Sequence, residues 1–159
     1  MDFKVRKAIE KDMPRVLELI KELAIFEKEP EAVEINLNNL EVDGFGSKPL
    51  FECFVAETGN AIVGMALVYI RYSTWKGQAL HLEDLIVDKN MRGKGVGTLL
   101  LNKVVTYGNE LGVKRISWEV LDWNDPAIKF YEEKGAEVKR DWDVVHLNEK
   151  AIKAYISRI

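Results

Sequence analysis

The stretch from Leu80 to Thr98 contains the residues whose types and spacing most clearly suggest chemistry. Glycines at positions 93, 95 and 97 lie between an apolar, strand-like run and a long amphipathic helix pattern. Glycine lets backbone N–H groups approach a ligand closely, and a helix N-terminus adds unpaired donors and the positive end of its dipole. Arg92 and Lys94 add positive charge to this loop. The pattern predicts a phosphate-binding loop, with a tight structural turn as the alternative.

Two familiar phosphate-loop patterns do not fit this spacing. The Walker pattern closes with Gly-Lys-Ser/Thr, whereas Gly97 is followed by Thr98 without the Lys. The dinucleotide fingerprint is Gly-x-Gly-x-x-Gly, whereas the glycines here occupy every second position. A nucleoside triphosphate or a dinucleotide is therefore not the predicted ligand.

Two adjacent carboxylates, Glu83 and Asp84, interrupt the apolar run before the loop. A regular strand would send them to opposite faces, and carboxylates inside an apolar strand are costly unless they are paired or wet. The pair predicts a functional cleft whose negative charge would attract a cationic ligand. The alternative is a solvated bulge or a structural ion pair.

Hydrophobic periodicity predicts the elements that must position these residues. Alternation or β-branched content predicts strands from about Phe3, and over Phe51–Glu57, Ala61–Tyr72, Leu80–Val87, Val113–Leu121 and Asp141–Leu147. Helical spacing predicts helices over Met13–Ala24, within Pro30–Asp43, over Gly95–Leu111 and Pro126–Lys134, and from Asn148 towards Ile159. Early hairpins followed by a late β-α-β unit predict an α/β (α+β) fold: a mixed sheet with helices on both faces.

Length and composition limit the remaining possibilities. The chain has 159 residues, 47% of them apolar, which predicts one domain over 1–159. A net charge of −3 argues against nucleic acid as a partner, and the longest apolar run, Ala61–Ile70, is too short for a membrane helix. The lone Cys53 and the absence of a signal-peptide pattern favour the cytoplasm. His81 and His146 lack metal-ligand spacing, so no metal is expected.

Two ordered blocks resemble the GNAT superfamily of N-acetyltransferases. Arg92-Gly-Lys-Gly-Val-Gly97 resembles its Gln/Arg-x-x-Gly-x-Gly/Ala loop for the pyrophosphate of acyl-CoA. Trp123-Asn-Asp-Pro-Ala-Ile-Lys-Phe-Tyr-Glu-Glu-Lys-Gly-Ala136 resembles the Asn-x-x-Ala-x-x-Phe-Tyr segment that follows. Four shorter stretches are similar to the diamine (spermidine/spermine or thialysine) acetyltransferase subgroup: Leu19-Ile-Lys-Glu-Leu-Ala24, Asp43-Gly-Phe-Gly46, Leu82-Glu-Asp84 and Trp123-Asn-Asp-Pro126.

The resemblance implies a mostly antiparallel sheet that splays between its fourth and fifth strands and binds acetyl-CoA in the gap. The residues it assigns to the cofactor are Leu85, Ile86, Val87, Arg92, Gly93, Lys94, Gly95, Val96, Gly97, Thr98, Asn124, Asp125, Pro126, Ala127 and Tyr131. The loop N–H groups would hold the pyrophosphate, and an N–H near Leu85 or Ile86 would meet the thioester carbonyl.

The same resemblance assigns the proton transfers. Tyr131 would be the general acid that protonates the departing thiolate, with ordinary helix packing as its alternative. Glu83 is the candidate general base, or the residue that orders a water for that purpose. The amine would attack directly in a ternary complex, since nothing about Cys53 suggests an acetyl-enzyme.

For the substrate, the resemblance implies a small amine and a homodimer. The implied substrate contacts are Phe26, Glu27, Glu83, Asp84, Trp118 and Glu119. Phe26 stands where a Tyr is common, and Arg140 lies roughly where the subgroup has a substrate-binding Glu, which would oppose a polyamine tail. A polyamine, thialysine, another small diamine and an amino acid therefore stay open. The alternatives are acetylation of a protein Lys or N-terminus, and a non-catalytic acyl-CoA sensor.

Overall fold

The computed structural model describes residues 2–159, which form two compact units. The first runs up to Glu119 and contains the whole sheet; the second runs from Val120 to Ile159. The assignment of one domain to residues 1–159 stays a prediction, and the two units are described separately below.

Five strands form one mixed sheet in the order β1-β2-β3-β4-β5. They span Lys4–Lys7, Glu52–Thr58, Ala61–Ser73, Gly77–Val87 and Ile116–Ser117. Neighbouring strands from β1 to β4 are antiparallel, whereas β4 and β5 run parallel. The predicted mixed, mostly antiparallel sheet is confirmed.

The parallel pairing between β4 and β5 is short. It consists of Leu80 opposite Ile116 and His81 opposite Ser117. β4 continues to Val87, whereas β5 ends at Ser117, so the two strands are unpaired beyond this point. The strand predicted over Val113–Leu121 is therefore too long, and the expected separation of strands 4 and 5 begins directly after His81.

Helices cover both faces of the sheet. One face carries α1 (Met13–Phe26) and α2 (Leu37–Phe45), with a core that includes Leu19, Val55 and Met65. The other face carries α3 (Val96–Glu110), where the Tyr107 ring lies 5.3 Å from that of Phe54. Adjacent residues on β2 thus pack against different helices, as the alternation of a strand requires. The lone thiol, Cys53, is buried on the α1 face, and burial raises its pKa to about 12.

A bulge in β4 changes which residues share a face. Leu67 and Val68 are adjacent on β3, but their partners on β4 are Asp84 and Leu82, so Glu83 is the extra residue. Because opposed residues share a face, Asp84 lies on the α1 face with Leu67. The bulge that sequence analysis treated as the alternative is present, and it puts Glu83 and Asp84 near one another.

The second unit contains two short helices, α4 (Asp125–Glu132) and α5 (Glu149–Ile156). Asn124 and Asn148 cap them by accepting hydrogen bonds from the N–H groups three residues later. The strand predicted over Asp141–Leu147 is wrong. Its apolar residues are exposed, Val145 at 88%, and no strand of the described chain pairs with them. A β-branched run becomes a strand only where a neighbour supplies hydrogen bonds.

Candidate active site

The glycine loop joins the end of β4 to the start of α3. Gly93 and Gly95 have φ values of 73° and 85°, a left-handed conformation that side chains with a Cβ rarely adopt. Gly95 is the N-cap of α3, and its carbonyl accepts the first helical hydrogen bond, from Leu99 N–H at 3.1 Å. The N–H groups of Val96, Gly97 and Thr98 lie in the first turn, where a helix has no acceptor for them.

The space beside this loop is open. A Cβ added at either Gly93 or Gly95 would meet no described atom within 4 Å. The loop therefore leaves room for a ligand against its backbone, and its donors and dipole suit an anion. These features fit the pyrophosphate of an acyl-CoA.

Arg92 and Lys94, predicted as pyrophosphate contacts, are exposed and turn back on their own loop. Arg92 Nε donates to the Val87 carbonyl at 3.0 Å, and its guanidinium lies 5.1 Å from the centre of the Phe26 ring. Lys94 Nζ donates to the Asn90 carbonyl at 3.0 Å. Both side chains thus lie against the loop, and their contact with a phosphate stays a prediction.

Phe26 was predicted to touch the substrate. It is the last residue of α1, is 39% exposed and supplies the face on which Arg92 lies. The end of α1 and the glycine loop are thus in direct contact. Sequence analysis missed this contact, because the two residues are far apart in the chain.

A charged network anchors the start of the loop. Arg15, on α1, contacts the Asp88 carboxylate at 2.8 Å. The other carboxylate oxygen of Asp88 accepts the Asn90 N–H at 2.9 Å and so caps a 3₁₀ turn over Lys89–Met91. Neither Arg15 nor Asp88 was predicted as a site residue. The long-range pairing of helix α1 with the end of β4 is what brings them together.

Three carboxylates gather at the bulge. Burial, together with the charges of Glu83 and Glu27, raises the pKa of Asp84 to about 6. Burial also raises the pKa of Glu27, which directly follows α1. The structure thus brings together three of the predicted substrate residues. This concentration of negative charge suits a cationic ligand.

His81 and Tyr69 flank Glu83. His81 is buried, and its Nε2 lies 3.5 Å from Glu83 Oε2 while its Nδ1 lies 3.2 Å from Ser117 Oγ. The pKa of Tyr69 is raised by burial and by the charge and hydrogen bond of Glu83. The charge of Glu119 also acts on His81 and Tyr69, which places Glu119 near this group.

Sequence analysis considered His81 only as a possible metal ligand and assigned it no role at the site. Its contact with Glu83 could have been predicted from the sequence, because His81 lies two residues before Glu83 and residues i and i+2 share a face of a strand.

The remaining predicted residues of the first unit lie along the unpaired edge. Ile86 is buried in the α1 core, while Leu85 and Val87 are partly buried. Their backbone lies where β5 has already ended, so this edge of β4 can receive an extended ligand chain. Trp118 is partly buried directly after β5.

The predicted residues of the second unit belong to α4. Asn124 is its N-cap, accepting the Ala127 N–H at 3.4 Å, with Asp125 and Pro126 in the first turn. Tyr131 is partly buried on the same helix, and burial raises the pKa of its hydroxyl. A tyrosine hydroxyl that stays protonated at neutral pH is a suitable proton donor. The roles assigned to these residues stay predictions.

Two further observations concern residues 2–159 alone. None of the helices there is both long and apolar enough to cross a membrane. No group of three or more His, Cys, Asp or Glu side chains in that range is arranged to hold a metal ion.

Comparison with known proteins defines the class of protein. The Acetyltransferase (GNAT) family matches residues 13–136, which include strands β2 to β5, the glycine loop and α4. The chain belongs to the GNAT family of acetyltransferases, and is therefore an acyl-transferring enzyme.

Individual relatives indicate which acetyltransferases of the family this chain resembles. The chain is 39% identical to a thialysine N-epsilon-acetyltransferase of Bos taurus over 84% of its own length and 83% of that protein's. It is 36% identical to the human spermidine/spermine N(1)-acetyltransferase-like protein 1 over 84% of this chain and 20% of that protein. A solved integron cassette protein of V. cholerae, 19% identical, shares the fold with a TM-score of 0.80 over 98% of each chain. The enzyme is thus related to the thialysine and diamine acetyltransferases.

Proposed function

We propose that this enzyme transfers the acetyl group of acetyl-CoA to a primary amine of a small diamine-like or thialysine-like substrate. One observation carries the proposal: β4 leads into a glycine loop whose backbone donors suit an anion, and a few residues earlier it carries the carboxylates of Glu83 and Asp84, with Glu27 near them. One end of this strand suits a polyanionic cofactor, and its middle suits a cationic amine.

Acetyl-CoA supplies the acetyl group as an activated thioester. The N–H groups between Gly93 and Thr98 would hold its pyrophosphate, and the unpaired edge at Leu85–Val87 would pair with its pantetheine. A backbone N–H at this edge would receive the negative charge that develops on the thioester oxygen. The family resemblance assigns Asn124 to Ala127 to the cofactor as well.

Protons move at two residues in the proposed mechanism. Glu83 accepts the proton that the substrate ammonium must lose, directly or through a water, before its nitrogen can attack. Tyr131 returns a proton to the departing sulfur. The amine attacks while both substrates are bound. Cys53 supports this order, because a buried thiol whose pKa is raised to about 12 is a poor acyl acceptor.

The substrate class follows from the charges at the bulge. Glu83 would act on the reacting amine, while Asp84 and Glu27 would bind a second cationic group of the same molecule. Phe26, Trp118 and Glu119 would line the remainder of the site. The family resemblance sets Arg140 where a substrate-binding Glu is common; a cation there would oppose a long polyamine and would favour a short diamine or a thialysine-like amino acid.

We also propose that the enzyme is a cytoplasmic homodimer. The dimer is supported by the family resemblance, and the compartment by a single reduced thiol. Light scattering of the purified protein tests the dimer.

A screen for release of CoA tests the function. The panel contains thialysine, lysine, ornithine, spermidine, an aminoglycoside and a lysine-containing peptide, each with acetyl-CoA. We expect the highest kcat/KM with a short diamine or thialysine. Preference for the peptide would favour a protein acetyltransferase. CoA-induced thermal stabilisation without turnover of any amine would favour a sensor, and no stabilisation by CoA would contradict the cofactor assignment.

A further inference from the structure

His81 lies where the sheet opens. It belongs to the last residue pair that joins β4 to β5, and Glu83 follows two residues later at the bulge. The imidazole is buried, with an exposed side-chain fraction of 8%, whereas Glu83 has 53% of its side chain exposed. A buried ring thus lies beside a solvent-accessible carboxylate.

Both ring nitrogens face polar groups on different strands. Nδ1 lies 3.2 Å from Ser117 Oγ on β5, and Nε2 lies 3.5 Å from Glu83 Oε2 on β4. An ionised carboxylate only accepts, so a neutral ring can bond it only if Nε2 carries the proton. Nδ1 is then an acceptor, and the Ser117 hydroxyl must donate to it.

The surroundings keep the ring neutral. Burial lowers the pKa of His81, and the positive charge of Arg71 lowers it too, whereas the charges of Glu83 and Glu119 oppose this effect. The Tyr69 ring packs against the imidazole, with centroids 5.1 Å apart, and restricts its rotation. A neutral ring of fixed tautomer can orient a carboxylate without neutralising its charge.

We infer that His81, held by Ser117, is the positioning residue that fixes the carboxylate of Glu83 for proton transfer. This inference rests on the proposed role of Glu83. The separation of 3.5 Å is long for a hydrogen bond, and a small rotation of the exposed Glu83 side chain closes it. Catalytic hydrogen bonds often tighten in this way when the substrate binds.

A pair of amide substitutions tests the contact. In His81→Gln the amide nitrogen replaces Nε2 and still reaches Glu83; in His81→Asn it replaces Nδ1 and reaches only Ser117. We expect His81→Asn to lower kcat roughly 10- to 100-fold while the KM for acetyl-CoA stays unchanged. His81→Gln should keep most of the activity. Equal activity of the two variants, whether high or low, would overturn the inference.

The partner residue has its own matched pair. Ser117→Ala removes the donor to Nδ1, whereas Ser117→Thr keeps a hydroxyl. We expect a loss of kcat in the alanine variant and recovery in the threonine variant. Thermal unfolding of each variant with CoA present checks that the fold is intact.

A double variant separates this inference from the proposed function. If His81 acts through Glu83, adding His81→Asn to Glu83→Gln lowers kcat no further. A Glu83→Gln variant with normal kcat would instead refute the base assignment. A large loss in Glu83→Gln with none in His81→Asn would refute only the role of His81.

The tautomer can be read without any activity. The chain has two histidines, so the ¹⁵N resonances of His81 are assigned by comparison with His81→Asn. We expect Nε2 to be protonated and Nδ1 to be bare near neutral pH. A proton on Nδ1 instead would leave the imidazole without a donor to Glu83 and would overturn the inference.

Discussion

The guanidinium of Arg92 lies 5.1 Å above the ring of Phe26, which joins the C-terminal end of α1 to the glycine loop. Phe26 therefore supports the loop at the cofactor side of the site. This contact offers a second explanation for Phe26, besides the direct substrate contact implied by family resemblance.

Replacing the ring of Phe26 distinguishes these roles. We expect Phe26→Leu to raise the KM for acetyl-CoA about 2- to 5-fold, because an exposed cation–π contact contributes about 0.5–1 kcal/mol. Phe26→Tyr keeps the ring face and should behave like the wild type. Initial rates at varied acetyl-CoA and varied amine measure both constants. A rise confined to the KM for the amine would support substrate contact instead.

The Arg15–Asp88 ion pair should stabilise the start of the glycine loop. Asp88→Ala removes the partner of Arg15 and the cap of the 3₁₀ turn, so we expect a loss of about 1–2 kcal/mol in the free energy of unfolding. The KM for acetyl-CoA should rise as well. Glu18→Gln is the control, because Glu18 also pairs with Arg15 but is 65% exposed. Equal effects of the two substitutions on urea unfolding and on KM would contradict this role.

The buried carboxylate of Asp84 should lower the free energy of unfolding and strengthen the binding of the amine. Its pKa in the folded protein, about 6, is above its ordinary value of 3.8, so ionisation destabilises the fold. This loss in the free energy of unfolding is absent below about pH 3.8. It grows between pH 3.8 and pH 6 and reaches its full size above about pH 6. We expect Asp84→Asn to be more stable than the wild type at pH 8, by on the order of 1 kcal/mol, and equally stable near pH 4.

The same substitution should weaken amine binding. We expect Asp84→Asn to raise the KM for a diamine while leaving that for acetyl-CoA unchanged. In the wild type, kcat/KM for a diamine should fall below pH 6, where Asp84 takes up a proton. A monoamine of similar length should show a smaller effect of the substitution. Thermal melts at pH 4 to 8 test the effect on stability, and initial rates over the same range test the effect on amine binding. An unchanged KM for the diamine in Asp84→Asn would contradict the substrate assignment.

Tyr131 is tested through kcat. Without a proton donor for the thiolate, Tyr131→Phe should lower kcat roughly 100-fold, while the Kd of CoA stays near that of the wild type. Tyr155→Phe is the control, because this exposed residue lies on α5, outside the block from Trp123 to Ala136 that resembles the family. Steady-state rates and isothermal titration with CoA give the two quantities. Undiminished turnover of Tyr131→Phe would remove it from the mechanism.

Local patterns predicted the parts of the fold that depend on neighbours in sequence. The glycine loop, α3 and the hairpin from β2 to β3 follow from turn residues and periodicity, and all three are present. Asp141–Leu147 has strand composition but no strand beside it, and no local pattern reports a missing neighbour. The two-residue length of β5 depends in the same way on where β4 diverges.

The candidate site likewise combines features that local sequence predicts with features that depend on contacts between elements. Glu83 and Asp84 were predictable as carboxylates in an apolar strand, but the bulge that brings them together depends on the register between β3 and β4. Arg15, Phe26 and Ser117 contact partners on other elements. Their contributions could be found only after the chain was folded.

The buried Cys53 has a practical consequence for every kinetic test above. Released CoA is commonly quantified with a chromogenic aromatic disulfide, which reacts with thiolates. The only thiol of this enzyme is enclosed in the core and protonated at assay pH, so it gives no background colour while the chain is native. The same reagent becomes a reporter of unfolding, since one equivalent of colour per chain should develop as the core opens. A single chemistry can therefore count both product molecules and denatured enzyme.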